Sequence, residues 1–242
     1  VNGQDELLLI YTSVKKGTRE DRHDNEQWAA RPLDPDLITW ERHPDNPVLA
    51  LETHGGPPFY KDWRDPFVFW NEDSKEYVMI LGARKLDGNK IRTGRTVFFT
   101  STDLKAWDFK GDFWAPNLFY MHEMPDIFRI GDTWYLLTTE YSDKSKTVYR
   151  MSTSLDGPWT APLDDAFDGR AYYAARSYSD ENKRYLFGWV PTKEGDDDLA
   201  NWQWGGTLVV HEVYQREDST LGVKAPEGVE QAFPKHDNLS NT

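Results

Sequence analysis

The chain has 242 residues, 38% of them hydrophobic and 29% charged, with a formal net charge of −13. That surplus of acid disfavours nucleic acids and anionic membrane surfaces as partners, because both are polyanions, and no apolar run reaches membrane-spanning length. There is no cysteine, which excludes disulfides, thiol nucleophiles and cysteine-ligated metals but leaves the compartment open.

Four short runs resemble one another along the chain: Glu6–Thr12, Glu76–Gly82, Thr133–Thr139 and Arg184–Val190. They are too short for helices and rich in β-formers, so they predict strands, and their continuous apolarity predicts burial on both faces. Each is followed by a second strand, beginning at Trp28–Ala30, Thr96–Thr100, Val148–Met151 and Thr207–Val210. Three of these lead into an Asp-headed turn and a tryptophan: Asp36–Trp40, Asp103–Trp107 and Asp156–Trp159. Such turns suit outer hairpin closures. Most of the aromatic residues (14% of the chain) fit the filling of a β core.

Repeats of roughly 50 residues made of short strands read as propeller blades. They fall at about 59–114, 120–162 and 171–223. Each of these opens with its own inner strand, whereas the first repeat opens at the Leu7–Tyr11 run, which is the second strand of the pattern. An open arc of blades would leave an unpaired strand edge, so further propeller sequence is expected upstream of Val1. Residues 1–223 form a partial propeller on this reading and 224–242 a departing tail. Residues 51–58 form a linker, and Lys193–Asp198 a solvated acidic turn.

The chemistry concentrates in two motifs, each leading into an aromatic-rich strand. Arg64-Asp65-Pro66 precedes Phe67-Val68-Phe69-Trp70, and Glu123-Met124-Pro125-Asp126 precedes Ile127-Phe128. Taken singly, each reads more readily as an ordinary turn or loop. Recurrence at matching places in successive repeats would aim both acids into one central cavity. Two carboxyl groups suffice for retaining glycoside hydrolysis. Glu123, beside Met121, Met124, Pro125 and Phe128, sits where partial desolvation suits a proton donor. Asp65, beside the guanidinium of Arg64, suits an ionised role. His122 either tunes the acid or lies on the surface. The six histidines show no metal-ligand spacing, and two-carboxyl hydrolysis needs no cofactor.

Together these motifs resemble the catalytic propeller of the family 32 glycoside hydrolases, the invertases, inulinases and levanases. Trp63-Arg64-Asp65-Pro66-Phe67 is similar to the family's Arg-Asp-Pro motif, and Glu123-Met124-Pro125-Asp126 to its Glu-Cys-Pro-Asp motif, with Met124 in place of Cys. Tyr172-Tyr173-Ala174-Ala175 with Phe187-Gly188-Trp189, and Trp204-Gly205-Gly206-Thr207-Leu208, resemble later family segments, while His211-Glu212 departs from the usual Pro-Arg-Glu. The resemblance implies an all-β, five-bladed β-propeller of which this chain supplies roughly four blades, the first blade and the start of the second being absent.

The same resemblance implies cleavage of β-fructofuranosidic bonds. Glu123 would be general acid/base and Asp65 transition-state stabiliser, with Arg64, Tyr173 and Trp204 binding a fructoside. The family's nucleophilic Asn-Asp-Pro motif has no match here. His43-Pro44-Asp45-Asn46-Pro47 is a superficial likeness in a linker, so the nucleophile is expected upstream. A non-catalytic carbohydrate-binding propeller and a five-bladed arabinan-type hydrolase are the alternatives.

Overall fold

The computed structural model describes residues 7–14, 25–50, 60–140, 145–169, 171–180, 182–197 and 199–233. The linker expected at 51–58, and the end of the expected tail at 234–242, lie outside them. Four antiparallel sheets follow one another along the chain. The first holds β1 (Leu9–Ser13), β2 (Glu26–Pro32), β3 (Trp40–Arg42) and β4 (Leu49–Ala50), with β2 paired to the other three. The second runs in chain order through β5 (Tyr60–Asn71), β6 (Glu76–Lys85), β7 (Gly94–Ser101) and β8 (Asp108–Trp114). The third holds β9 (Glu123–Ile130), β10 (Thr133–Glu140) and β11 (Lys146–Ser152), extended by bridges from Val148 to Ala166 and from Met151 to Thr160. The fourth holds β12 (Tyr173–Ser179), β13 (Arg184–Lys193), β14 (Trp202–Gln215) and β15 (Leu221–Lys224). A six-residue helix, α1 (Glu227–Ala232), follows, and the acidic turn after β13 contains one exposed 3-10 turn at Glu194–Asp196. The arrangement is all-β with four propeller blades.

Three apolar cores separate the four sheets, and strand alternation explains how. Side chains at i and i+2 share a face. On β6, Met79, Leu81 and Ala83 face a core shared with Leu49 and Ile10 of the first sheet, while Val78 and Ile80 face Ile127 and Leu136 of the third. On β10, Leu136 faces the second sheet, while Tyr135 and Leu137 pack with Tyr172, Ala175 and Leu186 of the fourth. These two strands are buried on both faces as expected. β1 and β13 are not: Leu9 and Phe187 are exposed, whereas Leu186 is fully buried. Both strands belong to the terminal sheets of the arc, which have one neighbouring sheet among the described residues, so only one face is covered.

Of the three expected Asp-headed turns, one is capped by the expected carboxylate, one by a neighbouring aspartate, and the third by serine hydroxyls, Ser154 Oγ accepting the Asp156 N–H at 3.3 Å. In the first, the capping carboxylate is Asp34 rather than Asp36, accepting from the N–H groups of Ile38 (3.1 Å) and Thr39 (2.6 Å). In the second, Asp103 accepts from Lys105 (2.8 Å) and Ala106 (2.9 Å). Each turn carries a left-handed residue, Leu37, Leu104 or Gly157.

Two features govern how the third sheet meets the second. A Cβ on Gly82 would lie 1.9 Å from the carbonyl oxygen of His122, so only glycine lets β6 approach the segment entering β9. His122 itself is fully buried, which overturns its surface reading. Its Nδ1 lies 3.2 Å from Thr96 Oγ1 and its ring 4.8 Å from that of Trp114. Burial, with the nearby Arg150 and Arg95 guanidinium groups, pushes the imidazole down to about 3.

Two outcomes are expected. Gly82→Ala costs about 1–3 kcal/mol through forced displacement of β9, seen as a melting temperature several degrees lower. Above about pH 6.5 His122 is neutral in folded and unfolded chains alike. As pH falls from there toward 3, only the unfolded chain takes up a proton, so stability drops at up to about 1.4 kcal/mol per pH unit. His122→Gln removes that part of the slope in urea unfolding curves recorded between pH 7 and pH 4.

Candidate active site

The site is built by one backbone irregularity repeated on three strands. On β5, Arg64 pairs with Gly82 and Phe67 with Ile80; on β9, Glu123 pairs with Thr139 and Asp126 with Leu137; on β12, Tyr173 pairs with Trp189 and Arg176 with Phe187. In each case three steps along one strand answer two along its partner, the signature of a β-bulge. The residue inside each bulge is left-handed: Asp65 (φ 63°), Met124 (φ 49°) and Ala174 (φ 50°). A second bulge on β5 sets Asp62 at φ 54°.

This register corrects the expected correspondence of the two acids. The counterpart of Glu123 is Arg64 in the second sheet and Tyr173 in the fourth; the counterpart of Asp65 is Met124. The three equivalent side chains converge. Arg64 Nη2 donates to Glu123 Oε1, and the Tyr173 hydroxyl donates to Glu123 Oε2. Asp65 joins from the neighbouring position, with Oδ2 3.6 Å from Arg64 Nε and accepting the Met124 N–H at 3.1 Å. Asp65 and Glu123 thus lie on one guanidinium. The immediate contacts of the Glu123 carboxylate are this cation and a hydroxyl rather than its sequence neighbours Met121 and Phe128, which are buried in the protein core. Arg64 loses solvation by burial, but the carboxylates of Asp65, Glu123 and Asp62 more than offset this and hold its proton more tightly than usual.

Asp65 is fixed from two sides. Its N–H donates to Thr12 Oγ1 at 2.9 Å; that hydroxyl donates to Gln27 Oε1, and Gln27 Nε2 donates to the Trp63 carbonyl at 3.1 Å. From the fourth sheet, Arg176 donates to the carbonyls of Asp65 (3.0 Å) and Pro66 (2.7 Å). Asp126 is fully buried and accepts the Ser177 N–H. Burial raises the proton affinity of its carboxyl against the pull of Arg176.

Trp204 is 45% exposed with its ring 4.8 Å from that of Tyr173, and Trp202 continues the aromatic surface at 5.8 Å from Trp204. Asp45, in the superficial likeness to the nucleophile motif, has an 80% exposed side chain, and Asn46 is spent on the backbone of Ala29. The structure therefore brings Arg64, Asp65, Glu123 and Tyr173 together with Trp204 at the rim. Sequence reasoning missed Asp62, Thr12, Arg84 and Arg176. Arg176 directly follows the quoted Tyr-Ala segment, but only the fold shows that it reaches across to β5.

Residues 1–221 match the description "Glycosyl hydrolases family 32 N-terminal domain". The levanase of Bacillus subtilis is 26% identical over 90% of this chain and 32% of its own length. The sucrose-6-phosphate hydrolase of Klebsiella pneumoniae is 29% identical over 55% of this chain and 32% of its own length. The chain spans about a third of the length of these curated relatives. Among solved structures, a Bombyx mori GH32 beta-fructofuranosidase superposes with a TM-score of 0.72 at 23% identity, covering 96% of this chain and 50% of that one. A mutant of that protein, in complex with sucrose, gives 0.71. A thermostable family-43 glycoside hydrolase gives 0.65 at 15% identity, covering 91% and 72%. At these identities the structural likeness is one of fold. The family match runs through the strands that carry Arg64, Asp65, Glu123 and Tyr173, and by it this chain belongs to glycosyl hydrolase family 32.

Proposed function

We propose that this chain carries the acid/base half of a retaining β-fructofuranosidase acting on sucrose- or fructan-type substrates. The observation that carries this reading is the Glu123 carboxylate held between the Arg64 guanidinium and the Tyr173 hydroxyl, with Asp65 on the same guanidinium. Glu123 protonates the leaving oxygen of the glycosidic bond. In its ionised form it then takes a proton from the water that releases the sugar. Asp65 accepts hydrogen bonds from the fructosyl hydroxyls and supports the positive charge developing in the oxocarbenium-like transition state. Arg64 orients both acids. Trp204, half-exposed and backed by the Tyr173 ring, offers a ring face to the apolar side of a furanose. The attacking carboxylate and a fifth blade closing the ring come, in this reading, from sequence preceding Val1. The named levanase and sucrose-6-phosphate hydrolase relatives support the fructoside class over an arabinan-type hydrolase.

In the full-length protein, Glu123→Gln lowers kcat about 10²–10⁴-fold with KM near that of the parent, followed as free fructose released from sucrose, levan and inulin. Hydrolysis at the parental rate would remove Glu123 as the acid/base. Asp65→Asn lowers kcat/KM about 10²–10³-fold while the melting temperature stays within a few degrees. Unchanged kinetics would remove Asp65 from the site.

A further inference from the structure

Arg64 is shared by three carboxylates rather than two. Beyond Glu123 and Asp65, Asp62 Oδ1 lies 3.4 Å from Arg64 Nη1. The other oxygen of Asp62 pairs with Nε of Arg84 on β6, and the Arg84 guanidinium lies 4.0 Å over the ring of Tyr120. The side chains of Asp62, Arg64, Arg84 and Glu123 are each less than 20% exposed, so solvent screens this row weakly. The second bulge of β5, at Asp62, places this carboxylate beside Arg64.

We propose that Asp62, anchored by Arg84, is a positioning residue for the acid/base: it competes with Glu123 for Arg64 and so sets how strongly that guanidinium holds the Glu123 carboxylate. Arg64 of β5 and the Tyr173 hydroxyl of β12 bond the Glu123 carboxylate; Asp62 and Asp65 of β5 share Arg64, and Arg84 of β6 pairs with Asp62; Arg176 of β12 reaches the Asp65 carbonyl, Asp126 lies on β9 itself, and β10 contributes the neutral Thr138. In this row Asp62 and Arg84 cancel, leaving Arg64 to balance the other two acids. Removing Asp62's charge frees Arg64 to hold ionised Glu123. Removing Arg84 leaves Asp62 to draw Arg64 away. The two changes act on Glu123 with opposite signs.

The inference rests on Glu123 being the acid/base, and the test separates the two. The alkaline limb of kcat/KM against pH reports the essential acid of the free enzyme. It is measured on the full-length protein as fructose released from sucrose and inulin between pH 4 and pH 9. Asp62→Asn moves the limb down and Arg84→Met moves it up, each by about half a unit to one unit. The double variant returns it toward the parent, and Asp62→Glu, which keeps the charge, leaves it in place. A merely structural role for Asp62 would lower rate and melting temperature without opposed shifts. Parental limbs in both single variants, alongside an inactive Glu123→Gln, overturn the proposal for Asp62 and leave the function standing. A Glu123→Gln variant at the parental rate overturns the acid/base assignment on which the inference rests.

Discussion

The geometry of the site depends on one backbone constraint: a left-handed residue at the same register of β5, β9 and β12. An extra residue in a strand interrupts the strict alternation of its side chains and re-aims them. Here it brings Arg64, Glu123 and Tyr173 from three separate sheets to one point. Holding a residue other than glycine in that conformation costs about 1–3 kcal/mol. The cost is borne three times, at Asp65, Met124 and Ala174, and local hydrogen bonds at each bulge offset it. Arg176 and Thr12 grip the Asp65 peptide from opposite sides, and the Asp65 carboxylate accepts the Met124 N–H. The Ala175 N–H, next to Ala174, donates to Thr147 Oγ1. Distortion of the strands and the geometry of the site are therefore one construction.

The polar ties also explain how wedge-shaped apolar sheets converge without leaving backbone groups stranded. Along their length the inner sheets meet through Met79, Ile80, Leu136 and Leu137, which are interchangeable in chemistry and carry no direction. Where the bulges break the ladders, freed peptide groups would be costly if unpaired. Side chains from adjacent sheets take up two of them, Gln27 holding the Trp63 carbonyl and Asp126 the Ser177 N–H, while Thr138 of the same sheet holds the Glu123 carbonyl. Apolar packing provides most of the adhesion, and these directed bonds fix the angle at which one blade meets the next.

What was legible in the sequence follows from this division. Strand runs such as Glu76–Gly82 and Thr133–Thr139 announce themselves by continuous apolarity, because their strands are sandwiched. The Arg184–Val190 run has the same composition, yet Phe187 is exposed, since burial on the second face depends on a neighbour that composition does not encode. The site motifs were legible because Arg64, Asp65 and Glu123 are chemically conspicuous. Their register was not: nothing in Met124 or Ala174 advertises a positive φ, so aligning the two motifs by their acids matched Asp65 to Glu123 when the ladder matches Arg64 to Glu123. His122 was misleading for a related reason. It is polar in composition yet wedged beneath Trp114 and Phe119, with a neutral ring that burial enforces.

Met124 shows how far side-chain identity and function separate at such a position. It stands where the family's motif has cysteine, immediately after the acid/base candidate. In the structure its contact with the site is made by its main chain, through the N–H donated to Asp65 Oδ2. A bulged residue offers its peptide group inward because the ladder no longer uses it, and any side chain that tolerates the left-handed conformation can supply that donor. Asp65 in turn reads only the N–H. The demand on position 124 is conformational, and the chemistry rests with the residues on either side of it: Glu123, which the bulge aims at Arg64 and Tyr173, and Pro125 and Asp126, which return the strand to its ladder beside Ile127.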